Sequence, residues 1–271
     1  LESLVKEVKA LVAKGFYDFS FISQDSSSYL RDIGEKEGLI KLIDAVEKIE
    51  GVKSARILYL YPTTTSNALI ERIIASPLFH NYFDMPIQHI SDSMLKRMKR
   101  GAGKERIIEQ LEMMRKAPNS FIRTSFIVGH PGESDAEFNE LLDFAKTFDF
   151  DRVNIFAYSD EEDTSAYEMD EKIDTKTINK RIKQLDKIVQ AKTKKSFEKE
   201  VGKEVMIIVE GESSEHEYFM GARELLWAPS IDGEVLVNDS DVENIEIGKC
   251  YRATITECVG NQLVATITAV A

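Results

Sequence analysis

The sequence is poor in cysteine, with two in 271 residues, and it holds one tryptophan and six prolines. Two cysteines exclude a disulfide-stapled scaffold and suit a reducing compartment, so a cytoplasmic location is expected. No run of 18 apolar residues exists, so no membrane-spanning helix is expected. No basic-then-apolar start suggests a secretory signal, and the first residue is Leu. HExxH and CxxC are absent, and His80, His89, His130 and His216 lack the spacing of metal ligands. No GxGxxG follows a strand-like segment, which removes support for dinucleotide binding. Gly103-Lys104 has the look of a phosphate loop, but Glu105 stands where Ser or Thr is needed.

The composition is that of a globular protein, 43% hydrophobic and 30% charged. The net charge of −12 argues against a generic nucleic-acid binder. It is unevenly spread. Residues 203–271 hold 13 acidic and 4 basic side chains, a net −9 in a quarter of the chain.

Along residues 1–160, helix-period and strand-like segments alternate. Leu1, Leu4, Val8 and Leu11 mark a first helix. Strands are predicted at Asp18–Ser23, Ala55–Leu60, Asn81–Ile87, Phe121–Val128 and Arg152–Ala157. The third is the weakest because Pro86 lies near its end. Helices are predicted between them, the last capped by Ser134 with Glu137 completing a capping box. Such alternation implies parallel βαβ units. A barrel is favoured, and since it opens on a helix, one strand should precede Leu1; an open five-stranded sheet is the alternative. Three parts are expected: the barrel domain at 1–174, a charged connecting helix at 175–202, and five short strands at 203–271 forming a small closed barrel of OB-like type. Cys250 and Cys258 lie on apolar stretches there and are expected to be core packing.

Barrel sites form at the C-terminal ends of strands. The residues that follow the predicted strands are Gln24 to Ser28; Pro62 to Thr65; Gln88, His89, Ser91 and Asp92; Gly129 to Glu133; and Tyr158 to Asp160. Loops are ordinarily polar, so this pattern alone is weak. Two stretches exceed what a generic barrel needs. In Phe126–Glu133, Gly129 and Gly132 allow close backbone approach, Pro131 stiffens the turn, and Glu133 can accept hydrogen bonds from a ligand or favour a helix N-terminus. In Asp84–Asp92, Gln88 and His89 should point into the barrel mouth.

These stretches resemble the radical S-adenosylmethionine (SAM) methylthiotransferases. MPIQHISDSMLKRMKRG (85–101), IRTSFIVGHPGES (122–134), NIFAYSDEEDTSAYEM (154–169) and FISQDSSSY (21–29) carry the resemblance, which covers about residues 1–170. QHISD is similar to the RimO-type branch, which acts on a ribosomal protein; the tRNA-modifying branch usually reads QSGS. Residues from 203 onward resemble a TRAM domain. The resemblance implies an α/β fold, a partial radical-SAM (β/α)6-type barrel lacking its first strand, followed by a small all-β TRAM barrel. It implies two cofactor types, SAM and two 4Fe–4S clusters, with the cluster ligands outside this chain. Gln24 and Asp25 would lie near the SAM amino acid, Gln88 near the ribose or substrate, Gly129, Gly132 and Glu133 on the adenosine side, and Phe156, Tyr158 and Ser159 behind the adenine. His89 and Asp92 are candidates for the substrate side. No acid–base catalyst is implied.

The chain departs from the family in four ways. CxxxCxxC, which holds the catalytic cluster, is absent, as is the N-terminal domain with three further cysteines. His130 replaces a commoner Phe, and Asp163 stands where Gly is usual. The expectation is an inactive C-terminal part of an enzyme that adds a methylthio group to an aspartate of a small-subunit ribosomal protein. That basic protein would be the partner, through the acidic TRAM domain, since RNA-binding versions should be basic. Two alternatives remain open: tRNA methylthiolation by the same chemistry, and a non-catalytic binding module on a degenerate barrel.

Overall fold

A computed structural model describes residues 1–271 apart from Glu215. The chain forms two compact units, divided inside one long helix between Ile188 and Val189.

The first unit is built on five parallel strands paired in sequence order: β1 (Asp18–Phe21), β2 (Ser54–Ile57), β3 (Phe79–Asp84), β4 (Phe121–Val128) and β5 (Arg152–Ala157). The sheet is an open half-barrel edged by β1 and β5. Helices lead into or connect the strands: α1 (Glu2–Val12), α2 (Gly38–Val46), α3 (Asn67–Ile74), α4 (Asp92–Arg97), α5 (Lys104–Arg115) and α6 (Asp135–Thr147). Parallel neighbours need such crossovers. Ser66 caps α3, and Ser134 with Glu137 forms the capping box on α6.

Strand residues alternate between two faces. One face carries Ala55, Ile57, Phe83, Ile122 and Phe126, which join the core made with Leu42, Ile70, Leu111 and Leu141 of the helices. The other face sets polar and charged side chains beside the stacked rings of Tyr82 and Phe121. Arg56, fully buried, donates to Asp18 (2.6 Å), Ser20 (2.9 Å) and Ser54 (3.2 Å), and Arg123 pairs with Asp84 at 3.3 Å. A closed barrel commonly fills this space with branched aliphatics; here ion pairs and aromatic rings occupy it.

Strands β1 and β2 stop two and three residues short of the sequence expectation, and two elements differ further. Strand β3 starts two residues earlier and stops at Asp84. Pro86 has no N–H for the ladder, and pairing resumes only at Gln88, which bridges Phe126. Helix α4 has no counterpart in the sequence expectation, because six residues are too few to display a helical period.

Helix α7 (Thr175–Glu198) carries an apolar stripe whose Leu185 is fully buried. The second unit then closes as a five-stranded barrel, ordered β10-β8-β7-β6-β9 with β9 paired back to β10. The strands are β6 (Glu204–Glu212), β7 (Met220–Glu224), β8 (Val235–Ser240), β9 (Cys250–Val259) and β10 (Gln262–Val270). The parallel β8–β10 pair within an otherwise antiparallel barrel is the OB-type closure. Ile207, Val209, Ala253, Ile255, Leu263 and Ile267 fill its centre. Cys250 and Cys258 are half-buried rather than core residues. Burial and the Glu198 charge push the Cys258 thiol above its usual range.

Candidate functional site

The C-terminal ends of β1 to β5 gather the residues singled out from sequence, in two tiers.

The first tier is the β1–β2 rim. Asp25 is committed within the protein: its carboxylate accepts from the Ser27 hydroxyl (2.6 Å), the Ser28 N–H (3.2 Å) and the Thr64 hydroxyl (3.1 Å). Ser26 donates to the Leu58 carbonyl at 2.6 Å, and the Tyr61 N–H donates to Ser27 Oγ at 2.9 Å. The serine run is therefore a clasp between two strand ends, and it leaves Gln24 exposed at the rim. Tyr59, left-handed at φ 59°, gives its N–H to Asp84 at 3.1 Å.

The second tier lies at β3–β4. Gln88 is left-handed (φ 69°), a strained state for this residue type. Its backbone is satisfied by Ser125 and Ile127, while its side-chain Oε1 is buried without a partner. His89 is fully buried. Its Nδ1 accepts the Ser91 N–H at 3.0 Å, so in neutral imidazole the proton sits on Nε2. That Nε2 faces Glu133 Oε1 at 3.4 Å. Glu133 is 1% exposed; its other oxygen accepts from the Gly129 N–H (2.9 Å) and from Arg181 of α7 (2.6 Å). Arg181 also donates to the Glu133 carbonyl (3.0 Å) and to Asp135 (2.8 Å). Glu133 Oε1 has no hydrogen bond of its own.

The two glycines have different causes. A Cβ on Gly129 (φ 87°) would meet Ile178 of α7 at 2.4 Å, so helix packing demands this glycine. Gly132 (φ 76°) gives its N–H to the Glu171 carbonyl at 2.8 Å. Asp92, exposed, accepts the Lys104 N–H at 2.7 Å and so caps α5.

Beyond β5, Phe156 is 53% exposed at the sheet edge. The Tyr158 hydroxyl donates to Asp160 at 2.8 Å, and its ring meets His130 edge-on at 5.2 Å. Burial, and then the Asp160 hydrogen bond, push its pKa up to about 12. Burial holds His130 below the usual histidine range. Ser159 is exposed and donates to Glu161 at 3.1 Å. Lys172 gathers this loop, bonding Asp160 and the Ala166 carbonyl and lying over the rings of Tyr158 and Tyr167.

The structure thus brings together Gln88, His89, Gly129 and Glu133. Gln24 and Asp25 stand on a separate rim, Asp92 serves a helix end, and Phe156, Tyr158 and Ser159 line the sheet edge. Sequence reasoning missed Arg181 and Lys172. Arg181 had a signal, a charge inside the Ile178–Ile182–Leu185 apolar stripe; Lys172 had none. Among the described residues, no group of three or more His, Cys, Asp or Glu is placed to hold a metal ion. No helix among them is long and apolar enough to cross a membrane.

Comparison with known proteins agrees with this architecture. Residues 1–145 match the radical SAM superfamily and residues 201–268 the TRAM domain. A ribosomal protein uS12 methylthiotransferase RimO from Sulfurimonas denitrificans is 60% identical over 267 residues, 98% of this chain and 61% of the relative. The Campylobacter jejuni protein of the same description is 58% identical over 265 residues, covering 98% and 60%. Among solved structures, the radical SAM methyltransferase TsrM from Kitasatospora setae aligns over 58% of this chain and 30% of its own, at 16% identity and a TM-score of 0.47. The chain spans about three fifths of the length of the curated relatives it matches. With more than half its length inside the family match, the chain belongs to the radical SAM superfamily and carries a TRAM domain after its half-barrel.

Proposed function

We propose that this chain is the SAM-binding and substrate-recognition portion of a ribosomal protein uS12 methylthiotransferase, which replaces a hydrogen on an aspartate side chain by a methylthio group. The observation that carries the SAM part is the strand-end cluster. Gln88 Oε1 is a buried acceptor without a hydrogen bond, and Glu133 Oε1, which also makes none, is met only by His89 Nε2 at 3.4 Å. Leaving such groups unmade costs about 1–3 kcal/mol each. A ligand carrying hydroxyl and amino donors would satisfy both acceptors. The residues present therefore fit SAM, with Gln88 and Glu133 as first contacts and Phe156 at the edge for an aromatic ring.

They do not fit a 4Fe–4S cluster. Such clusters take cysteine thiolates, and Cys250 and Cys258 both lie in the TRAM barrel. The reading is that the cluster ligands belong to a longer protein and that this chain alone does not cleave SAM. When bound together, cluster and SAM supply one-electron chemistry at an unactivated C–H bond. This chain's share is to hold and orient SAM and to exclude water, and no proton transfer is assigned to His89.

The substrate reading draws on the identity to the uS12-modifying relatives and on the acidic TRAM unit. A net −9 over residues 203–271 attracts a basic protein and repels phosphate. The test is a cluster-reconstituted longer protein given SAM and reductant, with uS12 or tRNA as substrate. A methylthio group on an aspartate of uS12, read by mass spectrometry, is the expected result; methylthiolated nucleosides with unmodified uS12 would overturn it.

A further inference from the structure

The −12 balance conceals a cationic surface. Helix α7 holds eight basic and two acidic residues over Thr175–Glu198. In its first half, within the first unit, Lys176, Lys180, Lys183 and Lys187 are all exposed. At 100° per residue they fall within about 60° of arc and form one row. They line an open groove of about 830 Å³, with Asn179 and Gln184 on its flanks. Lys176, Lys183 and Lys187 have no ion-pair partner among the described residues. Lys180 lies near Asp135, whose carboxylate is already engaged by Arg181. The one acid on this stretch, Asp186, sits to the side of the row.

Four properties narrow the partner. The charges are spread over about 16 Å of helix, one per roughly 5 Å, comparable to the one phosphate per 3.4 Å along a nucleic-acid strand. All are lysines; carboxylates are better recognised by the planar fork of arginine, whereas lysine serves phosphate as a point charge. No exposed large apolar side chain lies on residues 172–188, and Leu185 and Ile182 face the core, so the helix has nothing to insert into a membrane. No aromatic ring stands in the row to stack on an unpaired base, which favours duplex backbone over single strands.

We propose that the Lys176–Lys187 row is a docking surface for the phosphate backbone of double-stranded RNA, contacted without base specificity. Its amide flanks, Asn179 and Gln184, suit the 2′-hydroxyls of that backbone. The choice of RNA over DNA rests on the ribosomal substrate proposed above; the phosphate surface does not. Four lysines working against an acidic protein give weak binding that helps place the enzyme on its target, while selection of the target is left to the protein substrate.

The test is fluorescence anisotropy of a short labelled RNA duplex against the whole chain and against Lys176→Gln/Lys180→Gln/Lys183→Gln/Lys187→Gln. All four positions are solvent-facing, so circular dichroism should be unchanged. For the wild-type chain the log–log dependence of affinity on salt should have a slope of about −3.6, from four phosphate contacts on a duplex. The variant should lose at least tenfold in affinity at low salt and most of that slope. Equal binding by the variant, no binding by the wild-type chain, or tighter binding to phosphatidylserine vesicles or polyglutamate than to RNA would overturn the proposal. Methylthiolation of uS12 is read separately by mass, so either reading can fail alone.

Discussion

Arg181 Nη1 lies 2.6 Å from Glu133 Oε2, and both side chains are buried. This pair ties the turn after β4 to helix α7 and leaves the other Glu133 oxygen facing His89 Nε2 at 3.4 Å. Removing one partner of a buried pair strands a charge and typically costs about 3–5 kcal/mol. Arg181→Met is therefore expected to destabilise the first unit by about that much in chemical denaturation. Adding Glu133→Gln should recover part of the loss, with a coupling of about 1–3 kcal/mol in a double-mutant cycle. Additive effects would show that the two residues do not act as a pair.

Gly129 gives a second prediction. A methyl at its Cβ position would lie 2.4 Å from Ile178 Cγ1, on a backbone at φ 87°. Overpacking of this kind costs about 1–3 kcal/mol and the left-handed state about 1–2 more. Gly129→Ala should lower thermal stability clearly. Combining it with Ile178→Ala should relieve the clash but not the backbone cost, and full recovery would refute that division.

Acid stability should report on Glu137. Burial opposes its ionisation, but hydrogen bonds from Ser93 and from the N–H and hydroxyl of Ser134, with the Arg97 charge, outweigh it and bring its pKa down to about 2 from 4.5. Because the folded value is depressed, its contribution is complete above about pH 4.5. It declines as pH falls and is gone below about pH 2. With its side chain 12% exposed, the contribution after solvent screening is about 1 kcal/mol. Glu137→Gln should flatten the pH dependence of unfolding in that window, and an unchanged profile would remove Glu137 from the account.

The acidic TRAM unit makes a prediction about salt. Binding of the chain to uS12 should weaken steeply as ionic strength rises past the point where the screening length falls to about 8 Å. Salt-independent binding would place recognition on apolar contacts instead.

The sequence was legible where patterns are local and periodic. Strands β4 and β5 were bounded correctly from apolar runs, and Ser134 with Glu137 announced the start of α6. The small closed barrel followed from five short strands separated by turn glycines, and its TRAM identity from the resemblance. Less legible were features set by contacts between distant residues. Gly129 reads in sequence as room for a ligand, yet Ile178, 49 residues away, explains it. Asp25 reads as a ligand contact, yet its carboxylate is taken by Ser27, Ser28 and Thr64. The replacement of a usual Gly by Asp163 was visible, and its meaning is now physical: the residue sits at φ 65°, which glycine adopts freely and Asp tolerates. The polar side chains on one face of the half-barrel were hidden because Asp18, Ser20, Ser54 and Arg56 read singly as interruptions of apolar strands. They form a set only when β1 and β2 pair.

The central claim is that the strand-end cluster around Gln88 and Glu133 receives SAM. Its most direct test is the SAM dissociation constant of a cluster-reconstituted longer protein with and without Gln88→Ala. The account predicts an affinity loss of about tenfold, one hydrogen bond to a buried acceptor, with an unchanged melting temperature. Unchanged SAM affinity in the variant would contradict it.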